Sequence, residues 1–130
     1  MRFDRRTVLG GAIVTALGIA NARAANRVAF TAGAFQAAQE SGQIFVLEVT
    51  AKWCGPCQRQ KQIVEKLLEN STFSNLTILN ADYDADRSEL AKINAHQLTT
   101  LIIYRGKTEE LRSSGETRPE MVAAILRKAL

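Results

Sequence analysis

The sequence predicts an α/β domain whose central mixed sheet has a parallel half and an antiparallel edge hairpin and is flanked by helices. Two observations predict it. Apolar runs typical of strands alternate with amphipathic helical segments, and such alternation requires right-handed helical crossovers between parallel strands. The last two strand-like runs are separated only by Arg105-Gly106-Lys107, which favours a hairpin. The predicted order is β-α-β-α-β-α-β-β-α.

The first half of the domain contains two predicted strands and two predicted helices. Val28–Phe30 is a short strand, and Thr31 begins a helix that ends near Ser41-Gly42. Ile44–Val49 is almost continuously apolar, as expected of a strand that is covered on both faces. Gln58–Asn70 is an amphipathic helix, and its apolar side carries Ile63, Val64, Leu67 and Leu68.

The second half contains three strands and two helices. Apolar runs predict strands at Thr77–Ala81, Leu101–Tyr104 and, more weakly, Glu109–Ser113. Two capping boxes predict helix starts: Asp86 with Glu89 begins a helix that runs to Asn94, and Thr117 with Glu120 begins one that runs to the C-terminus. The last helix is expected to turn four side chains inward, those of Met121, Val122, Ile125 and Leu126.

Residues 1–24 are predicted to be an export signal that takes no part in the fold. The apolar run Thr7–Ala20 is too short to span a membrane comfortably, and Ala22-Arg23-Ala24 has a small-x-small cleavage pattern. Residues 4–9, Asp-Arg-Arg-Thr-Val-Leu, resemble a twin-arginine signal, with an ordinary secretory signal as the alternative. We therefore expect a periplasmic protein, tethered to the membrane if the signal stays uncleaved.

Residues 25–130 are predicted to form a single domain, because they contain no repeat, low-complexity tract or linker. The whole chain has a net charge of +4, but its first 24 residues contain four arginines and one aspartate. Residues 25–130 therefore have a net charge close to zero. The basic character of the sequence therefore gives no reason to expect nucleic acid as a partner.

The motif Trp53-Cys54-Gly55-Pro56-Cys57 contains the only two cysteines and the only tryptophan of the sequence. This spacing lets two sulfurs close into a disulfide or open into a dithiol with little backbone movement, which is typical of a redox site. A structural staple is a weaker alternative, because so small a loop removes little entropy from the unfolded chain. A zinc site is the other alternative, but with a single histidine, His96, a monomer lacks a full set of sulfur and imidazole ligands. We expect no metal and no cofactor.

The chain resembles the thioredoxin family. That family's active site is the same five-residue motif, placed between a buried strand and a helix, and its element order matches the whole predicted domain. Glu48, six residues before Cys54, stands where the family has a buried acid. Leu79-Asn80-Ala81-Asp82 resembles the family's third strand, and Gly115 matches the glycine of a loop that faces the site. The resemblance implies a thioredoxin fold and a thiol-disulfide oxidoreductase with a redox disulfide between Cys54 and Cys57.

The resemblance also implies roles for the residues of the motif. Cys54, at the start of a helix whose dipole favours a thiolate, is the expected nucleophile. Cys57 is expected to resolve the mixed disulfide. Five residues are expected to contact the substrate: Trp53, Gly55, Pro56, Leu98 and Thr99.

Two positions depart from the family pattern. Thr99 stands where the family has a cis-proline. The Leu98–Thr99 peptide is then either cis, at a cost of about 3–4 kcal/mol, or trans with altered docking; in both cases we expect Thr99 beside the sulfurs. Ile78 replaces a buried lysine, so Glu48 is expected to lack a cation, to have a raised pKa, and to accept the Cys57 proton as a general base. Alternatively, Glu48 reaches solvent at the strand end.

The function predicted from these features is reduction of disulfides in exported client proteins. Gly55-Pro56 adds neither a cation nor a polar hydrogen to stabilise a thiolate, which favours a reducing pair. Cytosolic reductants cannot reach the periplasm, so a membrane thiol-electron donor is the expected partner of a monomeric protein. Two alternatives stay open: a disulfide oxidant or isomerase, and a metal-binding or carrier module that uses the two thiolates.

Overall fold

The computed structural model describes residues 27–130 and shows the predicted order of strands and helices. The predicted export signal, residues 1–24, lies outside the described residues. The strands are β1 Arg27–Ala29, β2 Ile44–Thr50, β3 Ile78–Asp82, β4 Thr100–Arg105 and β5 Thr108–Ser114. The helices are α1 Ala32–Glu40, α2 Gly55–Leu68, α3 Arg87–Lys92 and α4 Pro119–Arg127. None of the helices in the described part of the chain combines the length and apolarity needed to cross a bilayer.

The predicted mixed sheet is confirmed. Its strand order is β1-β3-β2-β4-β5, with β1 and β2 each parallel to β3, and with β4 antiparallel to both β2 and β5. The central strand β2 is buried along almost its whole length, which explains its continuous apolar run. Its carboxyl end leads directly into the cysteine motif, so the best-anchored strand of the sheet positions the site.

Helices cover both faces of the sheet. On one face, α1 and α3 enclose a core that contains Phe45 and Leu47 of β2. On the other face, α2 and α4 pack over Val46 of β2 and Ile78 of β3. Because side chains alternate along a strand, Glu48 shares the α2 face with Val46. The site acid is thus enclosed beneath the helix that carries the cysteines.

Two predicted helix starts were wrong, those of α2 and α4, whereas the predicted start of α3 at Arg87 is confirmed. Helix α2 begins at Gly55 and not at Gln58, since the sulfur of Cys54 accepts a hydrogen bond from the Cys57 amide as an N-cap. Asp86 lies at the N-cap of α3 as predicted, but its side chain forms no capping hydrogen bond, and its carboxylate accepts one from the Asp82 amide instead.

Helix α4 has Arg118 at its N-cap and Pro119 in its first turn, with no side-chain cap, so the second capping box is also absent. Met121, predicted to point inward, is 39% exposed, whereas Val122 and Leu126 are fully buried.

Candidate active site

The two cysteines form a disulfide at the junction between β2 and α2. Their Cα atoms are 5.3 Å apart, and Cys54 occupies the N-cap of α2. Cys57 is fully buried and Cys54 is 7% exposed. The Cys54 sulfur also faces the amide of Cys57 at 3.3 Å, where the N–H and the helix dipole favour a thiolate once the bond is reduced. An incoming disulfide therefore meets Cys54 first.

The two residues between the cysteines are exposed and carry no charge. Gly55 and Pro56 form the first turn of α2, where a proline is favoured because the missing N–H would have no helical partner. They hold the two cysteines in register and leave the sulfurs without a cation in the intervening turn.

Thr99 lies beside both sulfurs, as predicted for its position. Its hydroxyl oxygen is 3.2 Å from the Cys57 sulfur and 3.6 Å from the Cys54 sulfur. No peptide in the described residues is cis, so the Leu98–Thr99 bond is trans. Instead, Thr99 has a φ of 54°, in the left-handed region that a β-branched residue rarely adopts. The loop thus presents a hydroxyl to the sulfurs from a conformation that needs external support.

That support comes partly from Gln60, which sequence reasoning did not select. This side chain is fully buried on α2, and its amide nitrogen donates to the carbonyl oxygens of Thr99 at 3.2 Å and Glu116 at 2.9 Å. The Thr99 carbonyl also accepts a hydrogen bond from the amide of Gly115, whose φ is +83°. The only sign of this role in the sequence is that Gln60 is a polar residue on the apolar side of a predicted helix.

Glu48 is fully buried, so the alternative in which it reaches solvent is wrong. The prediction that it lacks a cation is also wrong. The guanidinium of Arg27 donates to both carboxylate oxygens, at 2.8 and 3.2 Å, and the Asn80 amide donates at 2.7 Å. Ile78 is buried in β3, at the position where the family has a lysine. Arg27 of β1 supplies the cation instead. The role of Glu48 as a general base stays a prediction.

Trp53 extends into solvent next to the disulfide, with 67% of its surface exposed. Its indole N–H donates to the carboxylate of Asp84 at 2.7 Å, which fixes the ring against the loop after β3. Such an exposed aromatic surface with one anchored edge suits contact with another chain. Asp84 was not selected from the sequence, because the pairing joins residues from two separate loops.

Apolar side chains close the rest of the site. Leu98 and Tyr83 pack against a small buried cluster formed by Ala51 and the two cysteines. Lys52 and His96 are exposed. Across residues 27–130, no group of three or more His, Cys, Asp and Glu side chains is placed to hold a metal ion.

The carboxyl group of Glu116, the residue whose carbonyl accepts from Gln60, has a strongly lowered pKa. The guanidinium and amide of Arg118 hydrogen-bond to the Glu116 carboxylate, and these bonds lower its pKa from the usual 4.5 to about 2. The carboxylate is therefore ionised across the neutral range, and it holds the start of α4 against the loop that contains Gly115.

Comparison with known proteins agrees with this geometry. The Thioredoxin family model matches residues 26–128. Thioredoxin of Coprinus comatus is 33% identical over 100 residues, which cover 74% of this chain and 90% of that protein. Thioredoxin-2 of Saccharomyces cerevisiae is 29% identical over 96 residues, covering 73% and 90% respectively.

Solved structures show the same likeness. The crystal structure of Trxlp from Edwardsiella tarda has a TM-score of 0.72 and 31% identity, covering 77% of this chain and 97% of that one. Thioredoxin from Trypanosoma brucei brucei has a TM-score of 0.70 and 25% identity, covering 85% and 94%. The family match, the fold and the disulfide at the helix start together show that the chain belongs to the thioredoxin family and is a thiol-disulfide oxidoreductase acting through Cys54 and Cys57.

Proposed function

We propose that this protein is an exported reductant of disulfides in client proteins of the periplasm. The observation that carries the proposal is the asymmetry of the pair: Cys54 is the more exposed sulfur at a helix start, and Cys57 is fully buried behind it. This order suits a reaction in which one sulfur attacks a foreign disulfide and the other completes the exchange. The twin-arginine-like start and the cleavage pattern before residue 25 support export.

The reductive cycle follows from that asymmetry. The Cys54 thiolate attacks one sulfur of the client disulfide, forms a mixed disulfide and releases the other client sulfur as a thiolate. The Cys57 thiol then loses its proton, with Glu48 as the proposed acceptor, and attacks the Cys54 sulfur. The second client sulfur leaves, and the protein returns to its disulfide form. The client has gained two electrons; one of the protons on its two thiols is the proton lost by Cys57, and the other comes from solvent.

One feature of the motif favours the reducing direction. The turn between the cysteines, Gly55-Pro56, brings no cation to stabilise a thiolate, and a less stabilised dithiol is the stronger reductant. In an oxidising periplasm, the oxidised pair must be reduced again from outside. A membrane protein that carries electrons as thiols is the donor we propose, and the protein acts as a monomer.

A trapping experiment in periplasmic extracts tests this proposal. Cys57→Ser removes the resolving sulfur, so client proteins stay joined to Cys54 as mixed disulfides that dithiothreitol releases. The matched variant Cys54→Ser is expected to capture none. The wild-type protein is also expected to reduce insulin and to have a potential near the value of about −270 mV that is typical of thioredoxin. Failure to reduce any protein disulfide would contradict the proposal.

One observation favours an oxidant or isomerase as the second candidate. The Thr99 hydroxyl lies within reach of both sulfurs and can donate to a thiolate, which stabilises the reduced form and makes the pair more oxidising. A measured potential near about −120 mV, together with oxidation of reduced unfolded proteins, would favour this candidate over the reductant.

A further inference from the structure

Gln60 is an unusual residue for its place in the fold. It lies on α2, one turn beyond Cys57, and its side chain is fully buried. Buried polar side chains lower stability unless hydrogen bonds compensate for lost hydration. The amide nitrogen is compensated by two carbonyl acceptors, but the amide oxygen is buried without a hydrogen-bond partner among the described residues. An apolar side chain of the same size would avoid that cost, so stability alone does not explain a glutamine here.

The orientation of the amide is determined by its surroundings. Both groups that it faces are carbonyl oxygens, those of Thr99 and Glu116, and a carbonyl oxygen can only accept. Rotating the amide by half a turn would bring its own oxygen against them. The donor therefore points at the loop beside the sulfurs.

Thr99 is the residue that this donor holds. Its carbonyl oxygen accepts from Gln60 and from the Gly115 amide, at 3.2 and 2.8 Å. These bonds hold the peptide group on the carboxyl side of Thr99. The φ of Thr99 is 54°, a conformation that threonine adopts only when its surroundings impose it. With the backbone fixed in this way, the hydroxyl lies near both sulfurs.

We propose that Gln60 is a positioning residue, which holds Thr99 in its left-handed conformation so that the Thr99 hydroxyl donates a hydrogen bond to the thiolate of the reduced pair. The inference rests on the thiol-disulfide chemistry of the proposed function. The hydrogen bond stabilises the dithiol and therefore lowers its tendency to reduce a client disulfide. The Gln60 amide donates to carbonyl oxygens and to neither sulfur, so it acts on the sulfurs through Thr99. Loss of either residue therefore makes the dithiol less stable relative to the disulfide.

The test compares Gln60→Leu, Gln60→Met, Thr99→Val and the double variant Gln60→Leu/Thr99→Val. Leu and Met keep the volume without a donor, and Val keeps the shape of Thr without the hydroxyl. The equilibrium constant for reduction by glutathione is measured for each, together with the rate at which iodoacetamide alkylates the reduced protein at pH 7. Gln62→Leu, at an exposed site on the same helix, is the matched control.

We expect Gln60→Leu, Gln60→Met and Thr99→Val each to shift the equilibrium towards the disulfide by about three- to tenfold and to slow alkylation by a similar factor. The double variant is expected to match Thr99→Val alone, because the two residues act in series. Gln62→Leu is expected to match the wild type.

Two results would overturn the proposal: unchanged values in both Gln60 variants, or an undiminished effect of Gln60→Leu when Thr99 is already Val. Circular dichroism of each variant checks folding, and Gln60→Met serves if Gln60→Leu does not fold. These equilibrium measurements need no client. Failure of the wild type to reduce insulin would therefore count against the proposed function. The changes in the glutathione equilibrium and in the alkylation rate decide the role of Gln60.

Discussion

Arg27 and Glu48 form a bidentate ion pair between two strands that are not neighbours in the sheet. The guanidinium of Arg27 lies 2.8 and 3.2 Å from the two carboxylate oxygens, and β3, which contributes Asn80, runs between them. The Glu48 side chain is fully buried, whereas the Arg27 side chain is 23% exposed. A short edge strand at the beginning of the domain thus neutralises the acid beneath the cysteine helix.

Loss of Arg27 should destabilise the domain. Arg27→Met leaves the Glu48 carboxylate buried without its cation, and we expect the free energy of unfolding to fall by about 3 kcal/mol. Urea denaturation of the oxidised protein at neutral pH measures this change. Arg27→Met/Glu48→Leu should lose less, because replacing a whole buried pair by apolar groups is often tolerated. Lys52→Met, at an exposed position, controls for the loss of one surface charge. Equal losses in the single and double variants would show that the unpaired charge is not the cause.

Glu48 should act on the second chemical step. Glu48→Gln keeps the volume of the side chain and removes the proton acceptor, so we expect resolution by Cys57 to slow about tenfold or more. The first attack by Cys54 should keep its rate. Rapid mixing of the reduced protein with a disulfide peptide separates the two steps, because each releases one peptide thiol. Equal slowing of both steps, or of neither, would contradict the assignment of Glu48 as a general base.

The fold could be predicted because its main signals are local. The continuous apolar run of β2, the short turn before β5 and the amphipathic pattern of α2 each specify one element. Helix caps were less predictable than strands, because capping side chains have competing partners. The Asp86 carboxylate binds the Asp82 amide, and Pro119 determines where α4 begins.

The site could be predicted only where the motif itself carries the chemistry. The cysteine pair follows from its spacing and the place of Thr99 from the resemblance to the family, and the structure confirms that they lie close together. The cation of Glu48 could not be found in this way, because the pairing of Arg27 depends on strand order and register. Gln60 and Asp84 likewise act through contacts between segments that are distant in sequence.

Asp84 should influence the docking of protein clients through Trp53. Asp84→Ala removes the acceptor of the indole N–H, and a freely rotating ring must be ordered again on binding. We expect KM for a protein disulfide to rise about threefold, with little change in the rate towards a small disulfide such as oxidised glutathione. Asp84→Asn, which keeps an oxygen acceptor, is the matched control and should resemble the wild type. A similar loss towards both substrates would argue against a docking role for the indole.

Acid stability should depend on the contact between Glu116 and Arg118. The folded-state pKa of Glu116, about 2, lies below its usual value of 4.5 because Arg118 hydrogen-bonds to the carboxylate. A depressed carboxyl pKa stabilises the fold above pH 4.5, and this contribution is lost as the pH falls towards 2. Thermal unfolding of the wild type and of Arg118→Met across this range should give a Tm difference that is constant above pH 4.5 and shrinks below it. Arg127→Met, on the same helix, should leave the acid response of the wild type unchanged. The Tm difference between the wild type and Arg118→Met could instead stay constant down to pH 2. That result would show that this ion pair does not set the acid response.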